Sequence, residues 1–196
     1  MNALVPSRAA FILLCPKSVP AEWWYSPDLQ TAVGFLHAPF SADPRLTDAL
    51  RMFGPDHPPV VFLGDMDPVA IAQYLAAQRM FAATGGPELA YGGMSDPWLA
   101  AMGDSAWPLA RLRIRMSAPE VRLLRALESS TRLEDLVGPD GAKLLRTGFK
   151  VELEAALNPA VHSPAHKRRL LGHLREIAGR TAQGGASVPN GRRTKR

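Results

Sequence analysis

The chain has 196 residues, 46% of them hydrophobic, and carries a formal net charge of +5 with a single cysteine. That length and apolar fraction suit one domain with one core and exclude wholesale disorder, and no apolar run approaches the roughly 18 residues of a membrane span. The lone Cys15 excludes a disulfide framework and a cysteine zinc site, and points to a reducing, cytoplasmic compartment.

Ala9 to Cys15 reads as a first buried strand. It is short for a signal-peptide core, and Leu14 is too large for the residue before a cleavage site. A loop with Pro16, Pro20, Trp23, Trp24 and Pro27 follows, its tryptophans expected to pack over the core, and Thr31 to His37 reads as a second strand. Leu46, Leu50 and Phe53 at i, i+4, i+7 predict a helix over 44–53. Pro59 to Leu63 is an apolar strand, followed by a helix over 69–81 with Ile71, Tyr74, Leu75 and Gln78 on one side. Glu88 to Tyr91 is a further strand, closed by Gly92-Gly93 and leading to a short helix over 97–102. These strand–turn–helix units, with similar turns at 63–68 and 92–97, imply an α/β fold. Its parallel sheet would be flanked by helices, with ligands at the carboxyl edge of the strands.

Arg111-Leu112-Arg113-Ile114-Arg115-Met116 alternates, which predicts a strand with three arginines on one face and three apolar residues on the other. Such an edge blocks aggregation or grips a phosphate backbone. Ser117 and Glu120 form a capping box for a helix with Val121, Leu123, Leu124 and Leu127 inward. A helix over 140–157 is expected next, with Leu145, Phe149, Leu153 and Ala156 inward and Glu152 on that same face. An acid there is costly unless paired or ligated. Ser163-Pro164 opens a last helix with Leu170, Leu171, Leu174 and Ile177 inward and Lys167, Arg168 and Arg169 largely outward. The single domain is expected to end near residue 179. Residues 180–196 hold Arg180, Arg192, Arg193, Lys195 and Arg196 and no acid, so the whole net charge lies in a Gly-rich, flexible tail. That tail either touches nucleic acid non-specifically or only solubilises the chain.

The richest chemistry sits at Gly64-Asp65-Met66-Asp67-Pro68, where a strand ends in two carboxylates spaced i, i+2. A turn there leaves both acids facing solvent, a pair of hard oxygen ligands suited to Mg²⁺ or Mn²⁺. Asp67 equally suits the N-cap of the next helix, with Pro68 at its first position, which leaves Asp65 without a role. Asp96 would lie beside Asp67 at the same sheet edge, or cap the helix that starts at Pro97. His162 and His166 have chelating i, i+4 spacing, interrupted by the Ser163-Pro164 helix start.

Phe62-Leu63-Gly64-Asp65-Met66-Asp67-Pro68 resembles the Asp-x-Asp turn of Toprim domains. The likeness is to type IIB topoisomerase A subunits and to the carboxy-terminal domain of the JetD nuclease subunit of Wadjet plasmid-defence systems. Met116-Ser117-Ala118-Pro119-Glu120 and Lys150-Val151-Glu152-Leu153-Glu154-Ala155 are similar to later stretches on the JetD side, so the resemblance spans about residues 8 to 157. It implies a Toprim-like parallel sheet and a Mg²⁺-dependent, nuclease-like role on DNA. Asp65 and Asp67 would be metal ligands and Glu152 a further catalytic acid. A partner protein would supply a DNA-binding domain. Toprim enzymes also carry a glutamate at the end of the first strand, where this chain has Leu14-Cys15-Pro16-Lys17; the nearest acid is Glu22. Tyr25, Tyr74 and Tyr91 lie within the fold and none stands where a strand-cleaving tyrosine would, so covalent DNA cleavage is not expected.

Three functions compete. The first is a Mg²⁺-dependent nuclease in which Arg111, Arg113, Arg115, Arg192 and Arg193 bind nucleic acid and the metal clamps a scissile phosphate. The second is a Toprim-like binding or assembly module without catalysis. The third is a haloacid-dehalogenase-type phosphotransferase with Asp65 as nucleophile and Asp67 as general acid, for which Gly103-Asp104 offers only one of the later acids.

Overall fold

A computed structural model describes residues 2–4, 9–17, 33–37, 48, 58–101, 112–156 and 164–184 of the chain. The main sheet contains β1 (Asn2–Leu4), β2 (Phe11–Cys15), β3 (Val33–His37), β4 (Val60–Phe62) and β5 (Leu89–Tyr91). A two-stranded ribbon joins β6 (Arg113–Arg115) to β7 (Phe149–Val151). The helices are α1 (Pro68–Thr84), α2 (Asp96–Ala101), α3 (Ala118–Glu128), α4 (Leu133–Arg146), α5 (Leu153–Ala156) and α6 (Pro164–Gly184). This is the expected α/β fold with a helical carboxy-terminal part.

The strand order is β1-β3-β2-β4-β5, with β3, β2, β4 and β5 parallel and β1 antiparallel at the edge. The chain runs outward from β2 to β3 and then returns past β2 to β4. The β2/β4 boundary is therefore a topological switch point, where the departing loops diverge and leave a crevice at the carboxyl edge.

Apolar residues run without alternation through β2 because both faces of the sheet are covered. Ile12, Leu14, Val60 and Phe62 lie in one core with Ala70, Tyr74, Ala77 and Phe81 of α1. Phe11, Leu13, Val61 and Leu63 lie in the other, with Trp98 of α2, Leu145 of α4 and Leu170 and Leu174 of α6. Each fully buried Leu, Ile or Phe contributes about 1.5–3 kcal/mol, so the walls of the crevice are firmly held. Gly92 lets α6 come this close: a Cβ there would run into Val61 and stand 2.9 Å from Leu174. Among the described residues no helix is long and apolar enough to cross a membrane.

Apart from the helices expected over 44–53 and 140–157, the elements expected from apolar patterning are present with ends moved by one to three residues, and α6 runs on to Gly184, past the expected end of the domain near residue 179. The capping box of Ser117 and Glu120 forms as expected. β1 was not anticipated: three residues of ordinary composition become a strand by pairing with β3. The expected helix over 44–53 (Asp48 apart), Trp23, Trp24, Glu22, Arg111, Asp104, His162 and the tail residues Arg192 and Arg193 lie outside the described residues.

The expected helix over 140–157 is corrected. α4 ends at Arg146, Gly148 takes a positive φ of 87°, and the chain continues as β7 and then the four-residue α5. The Phe-Lys-Val sequence suits a strand, and pairing with β6 decides between it and a helical continuation. The strand expected over 111–116 forms as Arg113–Arg115, and Ile114 on its other face is exposed along with both arginines.

Candidate functional site at the acidic turn

The crevice at the β2/β4 switch point is a cavity of roughly 210 Å³. Its walls include Lys17 beyond β2, Asp65 and Asp67 beyond β4, Gln73 of α1, and Lys150 and Glu152 around the end of β7. Sequence positions more than a hundred residues apart thus meet at one sheet edge, and the acidic turn is where they meet.

The two aspartates do not face solvent as expected; Asp65 is 3% and Asp67 5% exposed. Their burial follows from the way β7 docks. Met66 and Val151 exchange backbone hydrogen bonds (3.0 and 3.2 Å), so the turn forms one more antiparallel step beside the ribbon. Just beyond, the Leu153 N–H donates to Asp65 Oδ1 at 2.7 Å. Lys17 reaches over from the neighbouring strand end and sets its ammonium 2.7 Å from Asp65 Oδ2. The same ammonium lies 2.9 Å from Glu154 Oε2. Both oxygens of Asp65 are thereby engaged.

Asp67 is the N-cap of α1, as its sequence context allowed. Its backbone is extended, its Oδ1 accepts the Ala70 N–H at 2.6 Å, and Pro68 opens the helix. Burial pushes its carboxyl up to about 6, against the opposing pull of that N–H. Burial likewise raises Asp65, opposed by Lys17 and the Leu153 N–H. Burial disfavours the Lys17 ammonium, but its bonds to Asp65 and Glu154 prevail and hold its pKa above the usual lysine value.

Glu152 reaches the cleft by a different route from the one expected. It follows β7 instead of lying on a helix face, and its partner is Lys150, whose Nζ is 3.2 Å from Glu152 Oε1 and 2.8 Å from Glu120 Oε1. Asp96 does not join the site and does not cap its own helix; Ser95 Oγ does, accepting the Trp98 N–H at 3.3 Å. The Asp96 carboxylate accepts the Asp140 and Gly141 N–H groups at 2.8 and 2.9 Å, which fastens α2 to the second half of α4 beyond its kink at Gly138.

Arg113 and Arg115 lie away from the acids. The Arg113 guanidinium sits 4.6 Å above the centre of the Phe149 ring, and that of Arg115 lies 6.0 Å from it. Neither pairs with an acid among the described residues. Sequence reasoning passed over the two lysines as site residues: Lys17 stood out only as a residue where an acid was expected, and Lys150 lay inside a helix that does not form. The hydrogen bond from Leu153 had no signal in the sequence at all.

The residues present do not fit a Mg²⁺ centre as the structure arranges them. The Asp65 oxygen that faces the cleft is already paired with the Lys17 ammonium, Asp67 gives one oxygen to α1, and Glu152 is turned to Lys150. Among the described residues no three carboxylate, histidine or cysteine side chains come together as a ligand set. No family model matches the chain, and none of the curated proteins matches it significantly.

Proposed function

We propose that the chain is a Toprim-like nucleic-acid-binding module that holds a phosphodiester chain beside its sheet edge without cutting it. The observation that carries this reading is the arginine pair stacked on Phe149. Two guanidinium groups on one aromatic ring, neither paired with an acid among the described residues, form a preorganised grip for phosphate and base. β7 carries this ring and is hydrogen-bonded to the acidic turn, so bound nucleic acid would lie close to the cleft. The placement of Asp65 and Asp67 at the carboxyl edge of a parallel strand supports a Toprim-like architecture. The engagement of both Asp65 oxygens favours binding over cleavage. Sequence or shape selectivity would come from a protein partner with a DNA-binding domain, because two arginines beside one ring hold a backbone without reading bases.

Anisotropy of a labelled 30-nucleotide single strand, and of the same sequence as duplex DNA, tests this directly. The Arg113→Ala/Arg115→Ala variant, with the basic tail intact, should bind more weakly. Its plot of log affinity against log salt should flatten by roughly 0.7–0.9 for each phosphate that the variant no longer neutralises. An unchanged affinity and an unchanged salt slope would leave the tail as the sole electrostatic anchor and rule out the ribbon.

A further inference from the structure

We propose that Lys17 is the resident cation of the cleft. Its ammonium stands where a divalent metal would bridge the carboxylates, so the native cleft takes up neither Mg²⁺ nor Mn²⁺, and removing that ammonium turns the cleft into a divalent-cation site.

The geometry is that of a cation seat already filled. Asp65 Oδ2 and Glu154 Oε2 converge on one point, at 2.7 and 2.9 Å from Lys17 Nζ. A Mg²⁺ on that Asp65 oxygen would lie about 2.1 Å from it, within the space the ammonium fills. The second Asp65 oxygen accepts the Leu153 N–H, which fixes the carboxylate so that Oδ2 is the one turned to the ammonium. The charges agree with the distances. Lys150 is matched by Glu120 and Glu152, so among the described residues Lys17 is the cation that faces Asp65 and Glu154, with Asp67 lining the same cavity as Lys17 and Asp65.

Withdrawing the lysine charge therefore strands Asp65 and Glu154 as two convergent ligands, with Asp67 beside them. The Lys17 side chain is about one-third exposed, so its loss opens the seat to water, which completes the coordination of a hard cation. Lys17 plays this part whether or not the ribbon holds nucleic acid.

The decisive experiment titrates Mn²⁺ into the full chain, read by calorimetry and by the melting temperature. It compares wild type, Lys17→Met, Asp65→Asn and the double variant Lys17→Met/Asp65→Asn. Wild type should give neither heat nor a melting shift at millimolar Mn²⁺. Lys17→Met should melt lower without metal, regain stability with it, and bind at least about tenfold more tightly than wild type. Adding Asp65→Asn should abolish that binding. The proposal is overturned if wild type binds Mn²⁺ and Asp65→Asn abolishes it, or if folded Lys17→Met binds none. Should Lys17→Met not fold, wild type and Lys17→Arg decide: inertness in both upholds the assignment, and Asp65-dependent Mn²⁺ binding in either defeats it.

Discussion

Replacing Asp65 by alanine should destabilise the protein by about 1–4 kcal/mol, and the structure divides that cost into two parts. The larger is the Leu153 N–H, donated at 2.7 Å inside the protein and left without an acceptor; an unsatisfied buried donor costs about 1–3 kcal/mol. The smaller is the Lys17 ion pair. Because Lys17 is one-third exposed and keeps Glu154, its loss is set near the surface value, about 1 kcal/mol or less. Urea unfolding at pH 7 measures the total, and an unchanged m-value shows that the native state stays compact. Asp65→Asn separates the parts, since its Oδ1 still accepts from Leu153 while its charge is gone; it should cost about 1 kcal/mol less than alanine. A cycle with Lys17→Met should return a coupling of about 1 kcal/mol. If Asp65→Ala unfolds within about 0.5 kcal/mol of wild type, the ordinary scatter of surface substitutions, then Asp65 does not tie the turn to residue 153 and the reasoning fails.

Other perturbations have equally definite outcomes. Burial raises the Asp67 pKa to about 6 in the folded chain, against about 3.9 unfolded, so the native state binds the extra proton between those values and loses stability as pH rises through them. Asp67→Asn keeps the cap without that charge. Its stability relative to wild type, from denaturant curves between pH 4 and 7, should therefore climb with pH, and a flat difference would contradict the assignment. Gly138→Ala should cost about 2 kcal/mol or more in a chemical melt, because Gly138 has φ of 82° and its new Cβ would collide with the Asp96 carboxylate; wild-type stability would disprove this. Gly172→Ala and Gly179→Ala should each raise stability by about 0.5–1 kcal/mol, since nothing lies within 4 Å of either added methyl in α6. A drop in melting temperature would mean that the helix face is already occupied.

How much of this was legible in the sequence depended on the range of the interaction that decides each element. The parallel strands were readable because a strand buried on both faces must be apolar throughout, and Phe11 to Cys15 and Val60 to Phe62 are. The α1 cap was readable for a similar reason: Asp67-Pro68 serves its helix through groups three residues away. Residues 147–153 were misread because helical spacing of Leu145, Phe149 and Leu153 is present in the sequence but is not used. Pairing with β6 and with Met66, far away along the chain, outweighs it. The candidate site divides in the same way. Asp65, Asp67 and Glu152 do line one cleft, yet their electrostatics are set by Lys17 and Lys150, whose approach depends on strand order and on the ribbon.

The bond between Leu153 and Asp65 also dictates an order of events, because it closes a loop of 88 residues. Such a closure is slow and entropically costly, whereas β4, α1 and β5 need only near neighbours in the chain. During synthesis the sheet can assemble with Asp65 still hydrated, and the acid is sealed only after residues 149–153 have emerged. The cleft is therefore closed late, ahead only of the packing of α6 over the second face of the sheet. A chain interrupted before Phe149 would leave the charged turn open to water and, lacking α6, would leave Val61 and Leu63 partly uncovered, a form that proteases and partners can tell from the completed protein.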